Sequence, residues 1–389
     1  MRILFTFIGG SGHFNPLIPV ARAAEAAGHT VAVAGSGKLV PAITAAGFTA
    51  FATSEPPTAA IEPRAAAPAP SPLLRPDPEQ EDRDFRENFA RRGARRHAAA
   101  ILELAREWKP DVLVRDEVDF GAAIAAESLA VPCATVLVLA AGLLLRKGVV
   151  AEPLHELRSE YGLPPDPELS MLDRNLVLSP FPPSFRSPGS PLPDNAFSFR
   201  QEAASPAGTR SHLSTVYFTL GTVFNTEAGD LFSRVLAGLR ELPANVVVTV
   251  GERVDPAEFG PQPDHIRIER FIPQAVLLPQ CDLVVSHGGS GSVIGALAHG
   301  LPSVLLPLGA DQPHNAQRCV ELGTSRVLDP VIATPDEVRT TVSAVLADEG
   351  YRRAAERIQD EINALPGPEH TVPLLERLRG VGTSMAQIR

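Results

Sequence analysis

Three clusters in this chain join reactive side chains to backbone that can hold an anion. The stretch Ser286-His287-Gly288-Gly289-Ser290-Gly291-Ser292 follows an apolar run and opens a helical pattern. Its glycines let amides approach an anion and the helix N-terminus adds its dipole, so the stretch is expected to cradle a diphosphate. His287 and Ser290 would add donors without a large positive charge. The plain alternative is a glycine-rich turn of structural use. In Asp311-Gln312-Pro313-His314-Asn315, a carboxylate and an amide stand side by side before another helix. Asp311 and Gln312 offer the paired acceptors and donors that adjacent sugar hydroxyls require, although either could merely start the helix.

The third cluster is N-terminal. His13, in Gly9-Gly10-Ser11-Gly12-His13-Phe14-Asn15, sits where an apolar run gives way to a helix. An imidazole titrating near neutrality can take the proton of an attacking hydroxyl, and a carboxylate would fix its tautomer. Asp116, just past the run 112–115, is the favoured partner, with Glu117 and Asp119 competing. The bland readings are a histidine bonded to nearby backbone and an acid that caps a helix. Thr219 and Thr222, beside Gly221, could meet phosphate or ribose or simply form a turn.

These clusters need elements to position them. Apolar runs alternate with helical patterns at 3–8, 16–27 and 30–34, the rhythm of parallel βαβ units. Asn15 is placed to cap the first helix, with Pro16 at its first position and Gly28 past its end. Pro and Ala crowd 54–78, an arginine-rich helical segment spans 83–109, and a strand is expected at 112–115. Further strands are expected at 134–139 and 176–178, with a helix around 154–161. Residues 180–206 read as an irregular linker. The alternation then restarts: strands at 216–220, 246–250, 266–270, 283–286 and 303–306, and helices at 229–242, 292–299 and 314–322. A capping box at Thr334–Glu337 opens another helix, and helical patterns continue through 352–365 and 371–378. Past Gly380 the period is lost and the tail is expected to fray.

The fold class expected is α/β, with two doubly wound, Rossmann-like domains facing across a cleft. Their bounds are 1–205 for the acceptor and 206–370 for the nucleotide sugar. Residues 371–389 form a C-terminal helix and tail that can cross back to the first domain. Open parallel sheets bind ligands at the carboxyl ends of their strands, so the site should lie in the cleft.

Composition narrows the function. A chain of 389 residues with formal net charge −10 repels polyphosphate, so nucleic acid is not an expected partner. Three dispersed cysteines suggest neither disulfides nor zinc and fit a reducing cytoplasm. The longest apolar run, 131–145, is too short and interrupted to span a membrane, and the apolar N-terminus reads as a buried strand rather than a signal peptide. Around Ser290 the last glycine of a nucleophile elbow is replaced by Ser292, which disfavours a hydrolase. In the N-terminal loop Asn15 replaces the third glycine of a dinucleotide fingerprint, which disfavours NAD.

Taken in order, these motifs resemble the family 1 glycosyltransferases of the GT-B fold, particularly the actinobacterial enzymes that decorate antibiotics and other natural products. Gly12-His13-Phe14-Asn15-Pro16 is similar to the segment bearing that family's base, and Val114-Arg115-Asp116 to the segment bearing its carboxylate partner. Phe271-Ile272-Pro273-Gln274, the 286–292 loop and Asp311-Gln312-Pro313-His314-Asn315-Ala316 are similar to its donor signature. The resemblance implies that Phe271, Ile272 and Gln274 line a nucleobase pocket, that His287, Gly289, Ser290 and Gly291 bind the diphosphate with Thr222 as a second contact, and that Asp311 and Gln312 hold the sugar. Phe271 stands where plant members commonly place tryptophan, which leaves TDP and UDP donors both open.

The function so implied is inverting transfer of a sugar to a hydroxyl of a small apolar natural-product aglycone. His13 is the base, assisted by Asp116, with neither metal nor bound cofactor, in a cytoplasmic monomer or homodimer without stable membrane insertion. The one DxD spacing, Asp82-Arg83-Asp84, is expected away from the cradle. The Pro/Ala-rich excursion, 85–89 and 136–145 could wall an apolar acceptor pocket. Carbon glycosylation, a sugar-nucleotide epimerase or hydrolase, and a non-catalytic nucleotide-binding protein are the alternatives.

Overall fold

A computed structural model of the chain describes residues 1–55, 73, 75, 77–201, 212–221, 228–252 and 254–386, with side chains to 380. Thr222, most of the Pro/Ala-rich excursion and the expected boundary at 205/206 lie outside the described residues.

The first sheet contains β1 (Arg2–Thr6), β2 (Thr30–Gly35), β3 (Thr49–Ala52), β4 (Val112–Asp116), β5 (Cys133–Val136), β6 (Leu176–Ser179) and β7 (Ala196–Ser198). They run in the order β3-β2-β1-β4-β5-β6-β7, all parallel. The second sheet contains β8 (Thr215–Thr219), β9 (Asn245–Thr249), β10 (Ile266–Glu269), β11 (Leu283–Ser286), β12 (Ser303–Leu305) and β13 (Ser325–Val327), in the order β10-β9-β8-β11-β12-β13, again parallel. Strands buried along their whole length, such as β4 and β8, suit sheets covered on both faces.

The order reverses between β1 and β4 in one sheet and between β8 and β11 in the other. Such switch points open crevices at the strands' carboxyl ends. His13 follows β1 and Asp116 ends β4; Gly221 follows β8 and the glycine loop follows β11. His13, Asp116 and the glycine loop therefore project from the two switch points, while Asp311 and Gln312 follow β12 and Phe271 and Gln274 follow β10.

Leu137, Ala140, Phe181 and Phe185 from the first half bury an apolar contact with Ile294, Leu297, Ile358 and Ile362 from the second. The last helix, Val372–Ala386, returns to the first sheet. There Leu375 is fully buried among Ile3, Phe5 and Val112, while Glu376 pairs with His29 at 3.1 Å and Arg379 with Asp111 at 3.1 Å.

Several local expectations are corrected. Asn15 does not cap a helix: helical backbone already begins at Ser11, and Asn15 opens a tighter turn inside the run to Ala26. Residues 180–206 are not wholly irregular, since β7 adds a strand there. The last helix continues to Ala386 rather than ending near Gly380. The arginine-rich segment is helical but widens into a π-helix over Arg86–Gly93. A side chain at Gly93 would meet Asn88 O at 2.2 Å and Ile8 Cδ1 at 2.8 Å, so only glycine fits this close approach. The Thr334 capping box forms in both directions, and Gly28 ends its helix at φ +85°.

Candidate active site

The side that carries His13 is assembled from buried backbone bonds. Asp116 is fully buried. Its Oδ2 accepts from Ile8 N (2.9 Å) and its Oδ1 from Val118 N (2.7 Å) and Asp119 N (2.8 Å), which fixes the carboxylate as an acceptor. His13 Nδ1 lies 3.3 Å from Asp116 Oδ2, an ion-pair contact rather than an aligned hydrogen bond. The His13 side chain is 22% exposed. Burial pulls its pKa down, but the Asp116 carboxylate, with Asp311 and Glu117 beyond it, more than reverses this and holds it above the ordinary histidine value.

The competing acids are occupied elsewhere. Glu117 Oε2 accepts from Val138 N (2.5 Å) and Leu139 N (3.1 Å), and burial raises its pKa against the nearby Arg186 guanidinium. Asp119 caps the helix Phe120–Ser128 and pairs with His97. Phe89 stacks on His13 at 6.0 Å and Phe85 on Phe89 at 5.2 Å, which places the 85–89 segment as an aromatic wall. The run 136–145 divides: Leu137, Ala140 and Ala141 lie in the contact between the halves, while Val138, Leu139, Leu144 and Leu145 pack with Phe85 and Phe89.

On the facing side, Gly289 precedes the helix Ser290–Ala298, and Gly288 turns at φ +87°. His287 is enclosed by this backbone: a side chain at Gly221 would meet its ring at 2.6 Å and one at Gly289 at 2.7 Å. At Gly291 an added Cβ would meet nothing within 4 Å, so that backbone is open to a ligand. Phe271 is 61% exposed, and Gln274 reaches the same helix, its Oε1 lying 3.0 Å from a Cβ added at Gly295. Ile272 packs partly beside Leu277 and Leu278.

Asp311 and Ser290 are bonded to one another. Ser290 Oγ donates to Asp311 Oδ2 at 2.6 Å and Ser290 N at 3.3 Å. Asn315, quoted in the sequence but given no role, organises this cluster. Its Nδ2 donates to Asp311 Oδ2 (2.8 Å), Gly288 O (3.0 Å) and Ser290 Oγ (3.2 Å). Its Oδ1 accepts from Ala141 N (3.1 Å), and Ala140 N donates to Ser290 Oγ (2.8 Å), so the loop after β5 docks on the glycine loop. The available signal was the four-residue spacing from Asp311, which puts both on one helix face. Gln312 is buried, with Oε1 accepting from Leu308 N at 2.7 Å.

Asp82 is not remote from this side. Its helix, Pro78–Phe85, places Glu81 Oε1 to accept from Ala310 N at 3.0 Å, while Asp82 pairs with Arg146 and Asp84 accepts from Gln80. Among the described residues, no cluster of histidine, cysteine and acids could hold a metal ion. No described helix is long and apolar enough to cross a membrane.

Burial pushes the His287 pKa down to about 4, with Asp311 opposing it weakly. The unfolded chain therefore binds a proton that the folded chain refuses between the ordinary histidine value and about 4, and stability must fall as pH falls through that window. The loss from this residue is on the order of 3 kcal/mol. Urea unfolding at several pH values should show His287→Gln with a shallower acid decline than the parent. Superimposable declines would refute the assignment.

Comparisons with known proteins give the family. Residues 22–186 and 233–378 match the N- and C-terminal domains of the family described as erythromycin biosynthesis protein CIII-like. The chain is 30% identical to a 10-deoxymethynolide desosaminyltransferase of Streptomyces venezuelae, with 97% of each chain covered. It is 29% identical to a tylactone mycaminosyltransferase of Streptomyces fradiae, covering 97% of this chain and 92% of that one. The crystal structure of the glycosyltransferase VinC in complex with dTDP superposes with TM-score 0.75 at 27% identity, over 98% of this chain and all of that one. Fold and relatives define the class, a nucleotide-sugar glycosyltransferase of the GT-B fold. Within that class, the chain belongs to the family 1 enzymes of actinobacterial natural-product biosynthesis.

Proposed function

We propose that this chain moves a sugar from a TDP-sugar to a hydroxyl of an apolar natural-product aglycone, in one inverting step that needs no metal. The observation that carries the reading is His13 against buried Asp116 at the first sheet's switch point, with the loop after β5 docked on the glycine loop through Ala140 N and Ser290 Oγ at 2.8 Å. A thymidine donor is favoured over uridine by VinC, whose structure holds dTDP.

In this reading Asp116 holds Nδ1, and Nε2 takes the acceptor's proton as its oxygen attacks the anomeric carbon from the side opposite the diphosphate. The leaving diphosphate lies on the amides of Gly289 to Gly291, with the helix N-terminus, Ser290, Thr222 and neutral His287. Phe271, Ile272 and Gln274 take the nucleobase. Asp311, with Gln312, turns from Ser290 toward the sugar hydroxyls when donor enters. The domain division follows as 1–205 for acceptor and 206–370 for donor, with 371–389 tying back. Metal independence rests on the cradle's own donors and on Asp82 being neutralised by Arg146.

Mass spectrometry and NMR of the product, with EDTA present, test this. Transfer should proceed with the anomeric configuration opposite to the donor's. Retained configuration would overturn the single displacement, and strict dependence on magnesium or manganese would overturn the metal-free step.

A further inference from the structure

A second histidine–carboxylate pair lies close to His13 and has no part in the proposed step. His97 Nδ1 is 2.7 Å from Asp119 Oδ1, and the two side chains are 4% and 0% exposed. Burial alone would raise the Asp119 pKa, but His97, the Thr6 hydroxyl and the Ala122 amide hold it below the usual carboxylate range. A buried anion therefore orients the ring, and His97 Nε2 is left buried with no hydrogen-bond partner among the described residues. Such an atom is costly to leave unmet.

His97 lines a cavity of about 180 Å³ with Phe7, Ile8, Gly9, Ser36, Lys38 and Phe89, among others. Gly9 and Phe89 also touch the His13 ring, so cavity and base share a wall. Ser36 Oγ is a second buried polar atom there without a partner. Lys38 and Arg96, both exposed, line the same cavity, and neither has a carboxylate partner among the described residues. In a chain of net charge −10, unneutralised cations above unmet buried polar atoms are a local feature rather than a bulk excess.

We propose that this cavity is an acceptor subsite for an anionic group, so that the preferred aglycone carries a carboxylate or acidic phenol besides the hydroxyl that is glycosylated. The inference deepens the transferase reading and rests on it for the word acceptor; the anion site itself does not. Lys38 and Arg96 supply charge, and the Ser36 hydroxyl and His97 Nε2, both unmet in the cavity wall, supply the directed contacts.

The test uses para-hydroxybenzoate and its methyl ester as probes, by calorimetry with the full chain. The acid should bind about tenfold more tightly than the ester at low salt. The Lys38→Met/Arg96→Met double variant, altered only at exposed positions, should lose that ratio, while His97→Asn should reduce it. TDP should not compete with the acid. Equal binding of acid and ester, or an unchanged ratio in the double variant, would overturn the subsite. Competition by TDP would reassign the cations to the donor and overturn it as well. The two readings separate in the transfer assay. A chain that transfers sugar but binds acid and ester alike refutes only the subsite, whereas one that prefers the acid but never transfers refutes the transferase step.

Discussion

Replacing His13 by alanine should cut transfer to an oxygen acceptor by about 10²- to 10⁴-fold while leaving TDP affinity within about twofold of the parent. The two effects separate because the residues that carry them follow different sheets. His13 follows β1, whereas the glycine loop, Phe271 and Asp311 all belong to the second half. The variant should also fold. Asp116 keeps its three amide donors from Ile8, Val118 and Asp119, so removing the imidazole does not strand an unsatisfied buried carboxylate. Donor affinity by calorimetry and transfer rate by mass spectrometry give both numbers. Transfer at the parental rate would remove His13 from the mechanism.

The position of His13 is readable from sequence because each part of its geometry is local. A glycine turn ends a strand and a helix follows, so an imidazole in its first turn must sit at the carboxyl end of that strand. The partner is harder. Asp116, Glu117 and Asp119 crowd one turn, and only the fold shows that Glu117 holds the amides of Val138 and Leu139 while Asp119 holds His97. Similarly, the glycine loop announces an anion site, yet nothing in its spacing says that Asn315 would join it to the first domain through Ala141. Contacts across more than a hundred residues have no signature of period or capping. For the same reason the division of 136–145 between Phe85 and Phe89 on one side and the contact with the second half on the other is not legible, since apolar sequence does not say which apolar surface will cover it. The role of Asn15 failed for a different reason: good capping chemistry was overruled by helical backbone that had already begun four residues earlier.

Asp116→Asn is the sharper probe, because it should change rate and pH dependence in directions that mere damage would not. Asparagine can keep one acceptor oxygen toward Val118 and Asp119, but its amide nitrogen then faces the Ile8 N–H, donor against donor, at a cost of about 1–3 kcal/mol. The imidazolium formed during transfer would lose the charge that stabilises it, so the rate should fall by about 10²- to 10⁴-fold. The pH profile gives the sign. In the parent, Asp116 is the main influence holding the His13 pKa above the ordinary value against burial. The base therefore becomes available only as pH rises through that elevated value. With asparagine, burial remains and the main opposing charge is gone, leaving only the weaker Asp311 and Glu117, so the His13 pKa should drop and the rise in kcat/KM should move to lower pH. The variant would be far slower, yet reach its plateau at a more acidic pH than the parent. A profile that only shrinks, with its acid limb unmoved, would show that Asp116 supports the fold without acting on the base.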